Sequence, residues 1–192
     1  MRVNIIEKTN LFDGFFKLEK AVLQFEKYDG TMSEKVARLN VFRGDAVAVL
    51  LYDSKNKKII LVRQFRYPVY TVDPENAWFL EVVAGSIENN SDPVETAVRE
   101  VEEEVGYKLT SSQLVALGKC YPSPGGTSER IFLFAADVAN IRQSSDGGGL
   151  DDEHEDIQIV ELDYSEAFRM IDEGEICDAK SLLTMQWLRG RV

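Results

Sequence analysis

Apolar residues follow different rhythms along this chain. Ala46–Tyr52 (AVAVLLY), Ile59–Phe65 (IILVRQF), Trp78–Ala84 (WFLEVVA) and Ile131–Val138 (IFLFAADV) are nearly continuous apolar runs. Runs of that length predict strands covered on both faces. Leu114–Lys119 and the alternating Ile157–Leu162 add two more strands. Asp53–Lys58, Asp73–Ala77, Tyr121–Arg130 and Ile141–Gly149 are polar or rich in Gly and Pro, and read as turns and loops. Between these runs the period changes: Val94, Ala97, Val98, Val101 and Val105 recur at steps of three and four, the stripe of a helix with one buried face. Asp92 suits its N-cap, Pro93 its first position, Glu95 completes a capping-box-like pattern, and Gly106 ends it. Ser165 is placed to cap a helix over Glu166–Glu173, and Asp178 another over Ala179–Arg189.

Strands interleaved with few helices predict an α/β (α+β) domain, a mixed sheet with helices on its faces, over 44–192. Residues 1–43 differ. Short runs at Phe15–Leu18 and Ala21–Phe25, a turn at Asp29-Gly30 and an extended stretch to Phe42 predict a separate small β-domain. So small a sheet buries little alone and calls for a covering surface, from the main domain or from a second chain.

Composition narrows the function. With 192 residues and 44% hydrophobic content the chain can build a substantial core. Its net charge of −11 argues against a nucleic-acid binder, which needs clustered Lys and Arg. A nucleotide substrate stays compatible, because a metal can neutralise carboxylates and phosphates together. The two cysteines, Cys120 and Cys177, have no metal-ligand spacing, and no apolar run nears the roughly 18 residues of a membrane span. A reduced, cytoplasmic setting is expected.

The candidate chemistry lies on the helix after Asp92. Glu100 and Glu104 are one turn apart on the same side, with Glu103 beside them. Like charges at that spacing cost roughly 0.2–0.5 kcal/mol per pair. Arg99, four residues from both Glu95 and Glu103, relieves part of this and leaves Glu100 and Glu104 converging. Such a face is either solvated charge or a seat for a hard divalent ion held by a few carboxylates and substrate phosphate oxygens.

Gly85, Arg99-Glu100-Val101, Glu103-Glu104 and Gly106-Tyr107 fall at the spacings of the Nudix box, the loop–helix–loop signature of hydrolases that cleave nucleoside diphosphates linked to another group. One position departs from the box: Ser91 stands where it normally has a Glu. The resemblance extends over nearly the whole chain, through Phe15-Phe16, Asp29–Ser33, Arg43-Gly44, Gln64-Phe65-Arg66, Leu80–Gly85, Ser123–Arg130, Gly149–Ile157 and Ala179…Gln186-Trp187-Leu188, and is to bacterial ADP-ribose diphosphatases. It implies an α/β/α Nudix sandwich, an N-terminal β-domain exchanged across a homodimer, an active site built from two chains, and dependence on Mg²⁺ or Mn²⁺.

Carried over residue by residue, the resemblance makes Glu100, Glu104 and the backbone carbonyl of Ala84 metal ligands, with Glu103 assisting. It puts the general base at Glu153, with Glu155 a second candidate in the same loop. Phe15 and Arg38 would contact the nucleotide end, Arg66 the substrate, and Ser123 and Glu129 would line the pocket. By themselves Phe15 reads more often as core and Glu153 more often as solvated charge, while Arg66 reads equally as a surface ion-pair residue; His154 reads as an exposed loop residue. The implied reaction is hydrolysis of ADP-ribose to AMP and ribose 5-phosphate. Divalent ions cancel the pyrophosphate charge and lower the pKa of bound water, while a loop carboxylate takes its proton. Another nucleoside diphosphate sugar, GDP-mannose or UDP-glucose, is the alternative, and the spacing of Gly149–Ile157 favours ADP-ribose over GDP-mannose. A Nudix domain that senses a nucleotide without turnover is the third reading, and Ser91 is the feature in its favour.

Overall fold

A computed structural model describes residues 1–88, 91–150 and 154–192. They form two compact units, Met1–Gly44 with Tyr121–Arg130, and Asp45–Cys120 with Ile131–Val192.

The first unit is a three-stranded antiparallel sheet of β1 (Val3–Asp13), β2 (Lys17–Phe25) and β3 (Val36–Phe42), in that order. Strand β1 has no apolar run to announce it, because all its residues are exposed. Backbone pairing with β2, from Val3↔Phe25 to Asp13↔Lys17, makes it a strand. Phe15 and Phe16 accordingly sit in the β1–β2 turn instead of starting a strand. In the β2–β3 turn, Asp29 Oδ1 accepts from the Thr31 N–H (2.9 Å). The loop Tyr121–Arg130 is stitched to β3, where the Val41 N–H donates to Gly126 O and Thr127 Oγ1 donates to Val41 O, both at 2.9 Å.

The second unit is a mixed sheet of β4 (Ala46–Asp53), β5 (Lys58–Phe65), β6 (Trp78–Glu81), β7 (Val83–Ser86), β8 (Val115–Cys120), β9 (Ile131–Asp137) and β10 (Gln158–Asp163). The order is β10-β5-β4-β9-β8, with β6 paired to β5 and β7 to β4. Among the described residues only β4 and β9 pair in parallel in this sheet. The run WFLEVVA is therefore two strands, not one: Glu81 pairs with Val62 on β5, whereas Val83 pairs with Val49 on β4. The chain changes partner at Val82.

Helices α1 (Tyr67–Tyr70), α2 (Pro93–Val105), α3 (Tyr164–Asp172) and α4 (Ala179–Arg189) complete the unit. Alternate residues of one strand feed opposite cores. Val47, Val49 and Leu51 of β4 pack with Ala97, Val101 and Val105 of α2. Ala48 and Leu50 pack with Tyr164 and Ala167 of α3 and Met185 and Leu188 of α4. This is the α/β/α sandwich, and it explains why β4 is apolar without a break from Ala46 to Leu51. Each of the Val, Leu and Met side chains in these cores contributes about 1.5–3 kcal/mol on burial. Helix α3 begins at Tyr164 with Asp163, not Ser165, at its N-cap. Tyr164 is buried and its N–H donates to Lys57 O (2.9 Å), which docks the first turn two residues early. Among the described residues no helix is long and apolar enough to cross a membrane.

Candidate active site

Helix α2 starts where its sequence indicates, with Asp92 Oδ1 accepting from the Val94 N–H (2.7 Å). Docking Ala97, Val101 and Val105 on the sheet turns Glu100 and Glu104 inward, so both carboxylates are buried. The solvated-face reading is thereby removed. Glu104 Oε2 accepts from the Ala84 N–H (3.3 Å). Gly85 lies so close to the other carboxylate that a Cβ there would overlap the Glu100 carboxyl group. Arg99 pairs with Glu103 and with Glu100 instead of Glu95. Glu95 is exposed, and attraction to the less solvated Glu100 is the stronger pull.

The electrostatics follow. Burial pushes the Glu100 carboxyl up to about 7; Arg99 opposes this, while Glu103 and Glu155 add to it. Glu104 is raised well above the usual carboxylate range by burial and by the charges of Glu100 and Glu155. Two buried carboxylates that repel each other form a site short of positive charge.

Glu155 arrives from the glycine-rich loop, which is fastened to the end of α2. The Gly148 N–H donates to Glu104 O (2.9 Å) and the Gly149 N–H to Glu103 O (3.1 Å). Gly149 has φ +85°, and a Cβ would stand 2.6 Å from Glu155 Cβ, so only glycine fits there. Glu155 Oε2 in turn accepts from the Leu150 N–H (3.2 Å). Glu153 lies outside the described residues. His154 is exposed, with φ 56°.

Arg66 meets a residue that sequence reasoning passed over. Its Nε and Nη2 donate to the two oxygens of Glu81 (2.7 and 3.0 Å), and Glu81 is also paired with Lys180 of α4. Glu81 is only 3% exposed. Burial would raise it, but Arg66 and Lys180 outweigh that and hold it below the ordinary value. The available signal was a lone charge within the apolar run WFLEVVA. Phe15, Arg38, Ser123 and Glu129 belong to the first unit. Phe15 is exposed, edge-on to Phe16 at 4.7 Å. Arg38 is exposed and donates to Ala37 O (2.9 Å). Ser123 is exposed and its carbonyl accepts from the Gly126 and Thr127 N–H groups, both at 3.0 Å. Glu129 is buried and paired with Arg43 (3.4 Å).

The donor set at α2 suits a hard divalent cation. Among the described residues no three His, Cys, Asp or Glu side chains converge as a complete cage. Mg²⁺ does not need one, since it keeps several waters and takes one or two carboxylates plus substrate phosphates. A family model described as the NUDIX domain matches residues 42–182. The chain belongs to the Nudix hydrolase family. Among its Nudix relatives, the GDP-mannose pyrophosphatase of Pectobacterium atrosepticum is 36% identical over 184 residues, covering 96% of this chain and 92% of its own. That of Escherichia coli is 33% identical over 190 residues, covering 98% and 95%. The crystal structure of an ADP compounds hydrolase matches the fold with a TM-score of 0.74 at 20% identity, over 100% of this chain and 96% of its own.

Proposed function

We propose that this Nudix enzyme hydrolyses the pyrophosphate bond of a nucleoside diphosphate sugar. The observation that carries the proposal is the pair of buried carboxylates, Glu100 and Glu104, with Glu155 brought into their field by a loop anchored on the same helix. Glu100, Glu104 and the carbonyl of Ala84 would hold Mg²⁺ or Mn²⁺, with Glu103 assisting. A bound ion would supply charge neutralisation of the pyrophosphate and polarisation at phosphorus. The chain itself accepts the proton of the attacking water on a loop carboxylate, a role worth about 10²–10⁴-fold in rate. Glu155, oriented by the Leu150 N–H, is our first choice for that base and Glu153 the alternative. Arg66, whose Nη1 edge is not engaged by Glu81, is assigned to the substrate's phosphates. Phe15, Arg38, Ser123 and Glu129 are assigned to substrate contacts on the strength of the sequence resemblance.

The names of the relatives favour GDP-mannose as substrate, giving GMP and mannose 1-phosphate. The spacing of Gly149–Ile157 favours ADP-ribose, giving AMP and ribose 5-phosphate. The deciding assay is phosphate release, coupled to alkaline phosphatase, from GDP-mannose, ADP-ribose and UDP-glucose, each with Mg²⁺ and with EDTA. Fast release that requires Mg²⁺ supports the proposal and names the sugar; silence on all three returns the reading to a nucleotide sensor. Glu104→Gln separates the two classes again, since an enzyme loses most turnover while still binding substrate. We also propose a homodimer in which a second copy covers the first unit's sheet, where Val3, Ile5, Leu11 and Phe12 are all exposed. A monomer in sedimentation at micromolar concentration counts against it.

A further inference from the structure

Val82 sits where the chain leaves one ladder for another, between Glu81 of β6, paired with β5, and Val83 of β7, paired with β4. It is fully buried, so its N–H needs an acceptor. Ser181, fully buried in the first turn of α4, provides it: Oγ accepts the Val82 N–H at 2.9 Å. Ser181 then donates its hydroxyl proton to Asp178 Oδ2 (2.6 Å), the oxygen that also accepts the Ser181 N–H (2.9 Å). Lys180 bridges Asp178 (2.9 Å) and Glu81, so two successive residues at the strand break are gripped by one helix end.

Two residues beyond this grip the segment faces the carboxylates. The Ala84 N–H reaches Glu104 at 3.3 Å, near the limit of a useful hydrogen bond, and Gly85 has no room toward Glu100. A slide of a few tenths of an ångström in either direction breaks one contact or forces the other. We propose that Ser181, oriented by Asp178, is a positioning residue for the cation site, setting the height of Val83–Gly85 against Glu100 and Glu104. This rests on the metal-dependent reading above. Ser181 itself touches neither substrate nor ion.

The test is Mn²⁺ affinity, read from the free-ion electron paramagnetic resonance signal on the full chain without substrate. Thr184→Val is the control, because Thr184 is fully buried one turn further along α4 and, among the described residues, its hydroxyl bonds only Lys180 O (2.9 Å) and Ser181 O (3.2 Å) of that helix. Ser181→Ala should weaken Mn²⁺ binding about 10–100-fold, the usual effect of removing an outer support of a metal site. Thr184→Val should leave the affinity unchanged even where it lowers the melting temperature as much. Asp178→Ala should weaken binding in the same direction, and Asp178→Asn, which keeps the acceptor and the N-cap, should restore it. The Asp178 pair decides the matter if Ser181→Ala does not fold. Equal affinities for wild type and Ser181→Ala, or for Asp178→Ala and Asp178→Asn, overturn the positioning role alone. No Mn²⁺ binding by wild type overturns the cation site, and the positioning role with it.

Discussion

Without its ion the protein should lose stability as pH rises through the carboxylate range, and Glu100 should account for a measurable share. The Glu100 carboxyl is shifted from the ordinary 4.5 to about 7 in the folded state. Between those values the native state holds a proton that the unfolded chain has released, so stability falls as pH rises. The penalty is absent below pH 4.5, grows through the window, and is complete above pH 7. At about 1.4 kcal/mol per tenfold change in proton affinity the full effect is ~3 kcal/mol, and residual solvation reduces it to about 2 kcal/mol. For a chain of this length that corresponds to roughly 4–8 °C in melting temperature. The assay is thermal or urea denaturation in EDTA at pH 5 and pH 8, for wild type and Glu100→Gln. General repulsion from the net charge of −11 is nearly common to both proteins, so the difference between their slopes isolates Glu100. Mg²⁺ at pH 8 should restore much of the wild-type loss. An identical fall in both proteins would refute the claim that burial of this carboxylate opposes its ionisation.

Three further outcomes are expected. Gly85→Ala should lower turnover by two orders of magnitude or more, roughly the scale of losing a positioned group, with little change in melting temperature, because the obstructed atoms are the flexible end of Glu100; kinetics and calorimetry on one sample test this. Glu81→Ala removes the shared acceptor of Arg66 and Lys180 and should cost about 3–5 kcal/mol in urea denaturation; a loss below about 1 kcal/mol would show the network is dispensable. Glu155→Gln should cut kcat about 10²–10⁴-fold if Glu155 is the base, whereas the same loss from Glu153→Gln with Glu155→Gln near wild type transfers the role.

What could be read in advance follows from how each feature is encoded. Strand β4 and helix α2 are local patterns: a continuous apolar run and a stripe with its own cap and stop. Strand β1 is held by backbone pairing and buries nothing, so side-chain pattern is silent about it. The break at Val82 depends on an acceptor 99 residues away, which no window along the sequence can contain. Arg99 has three carboxylates within reach along the helix, and burial decides among them, not spacing. The acidic pair of the site was visible as Glu100 and Glu104, but the neighbouring Glu81 hid inside a strand, its charged partners being Arg66, just past the end of β5, and Lys180 of α4. Substrate choice is least legible, because a sugar is selected by a few side-chain orientations that neither run nor period records.

The two bonds from Gly148 and Gly149 to the carbonyls of Glu104 and Glu103 are made entirely by main chain. They are therefore indifferent to which side chains occupy positions 103 and 104. Carboxylates there can be exchanged for amides, or for ligands suited to another metal, while the loop keeps its mooring and its distance from the helix. The fold thus separates what the site does from how it is assembled, and its chemistry can drift or be redesigned without rebuilding its frame.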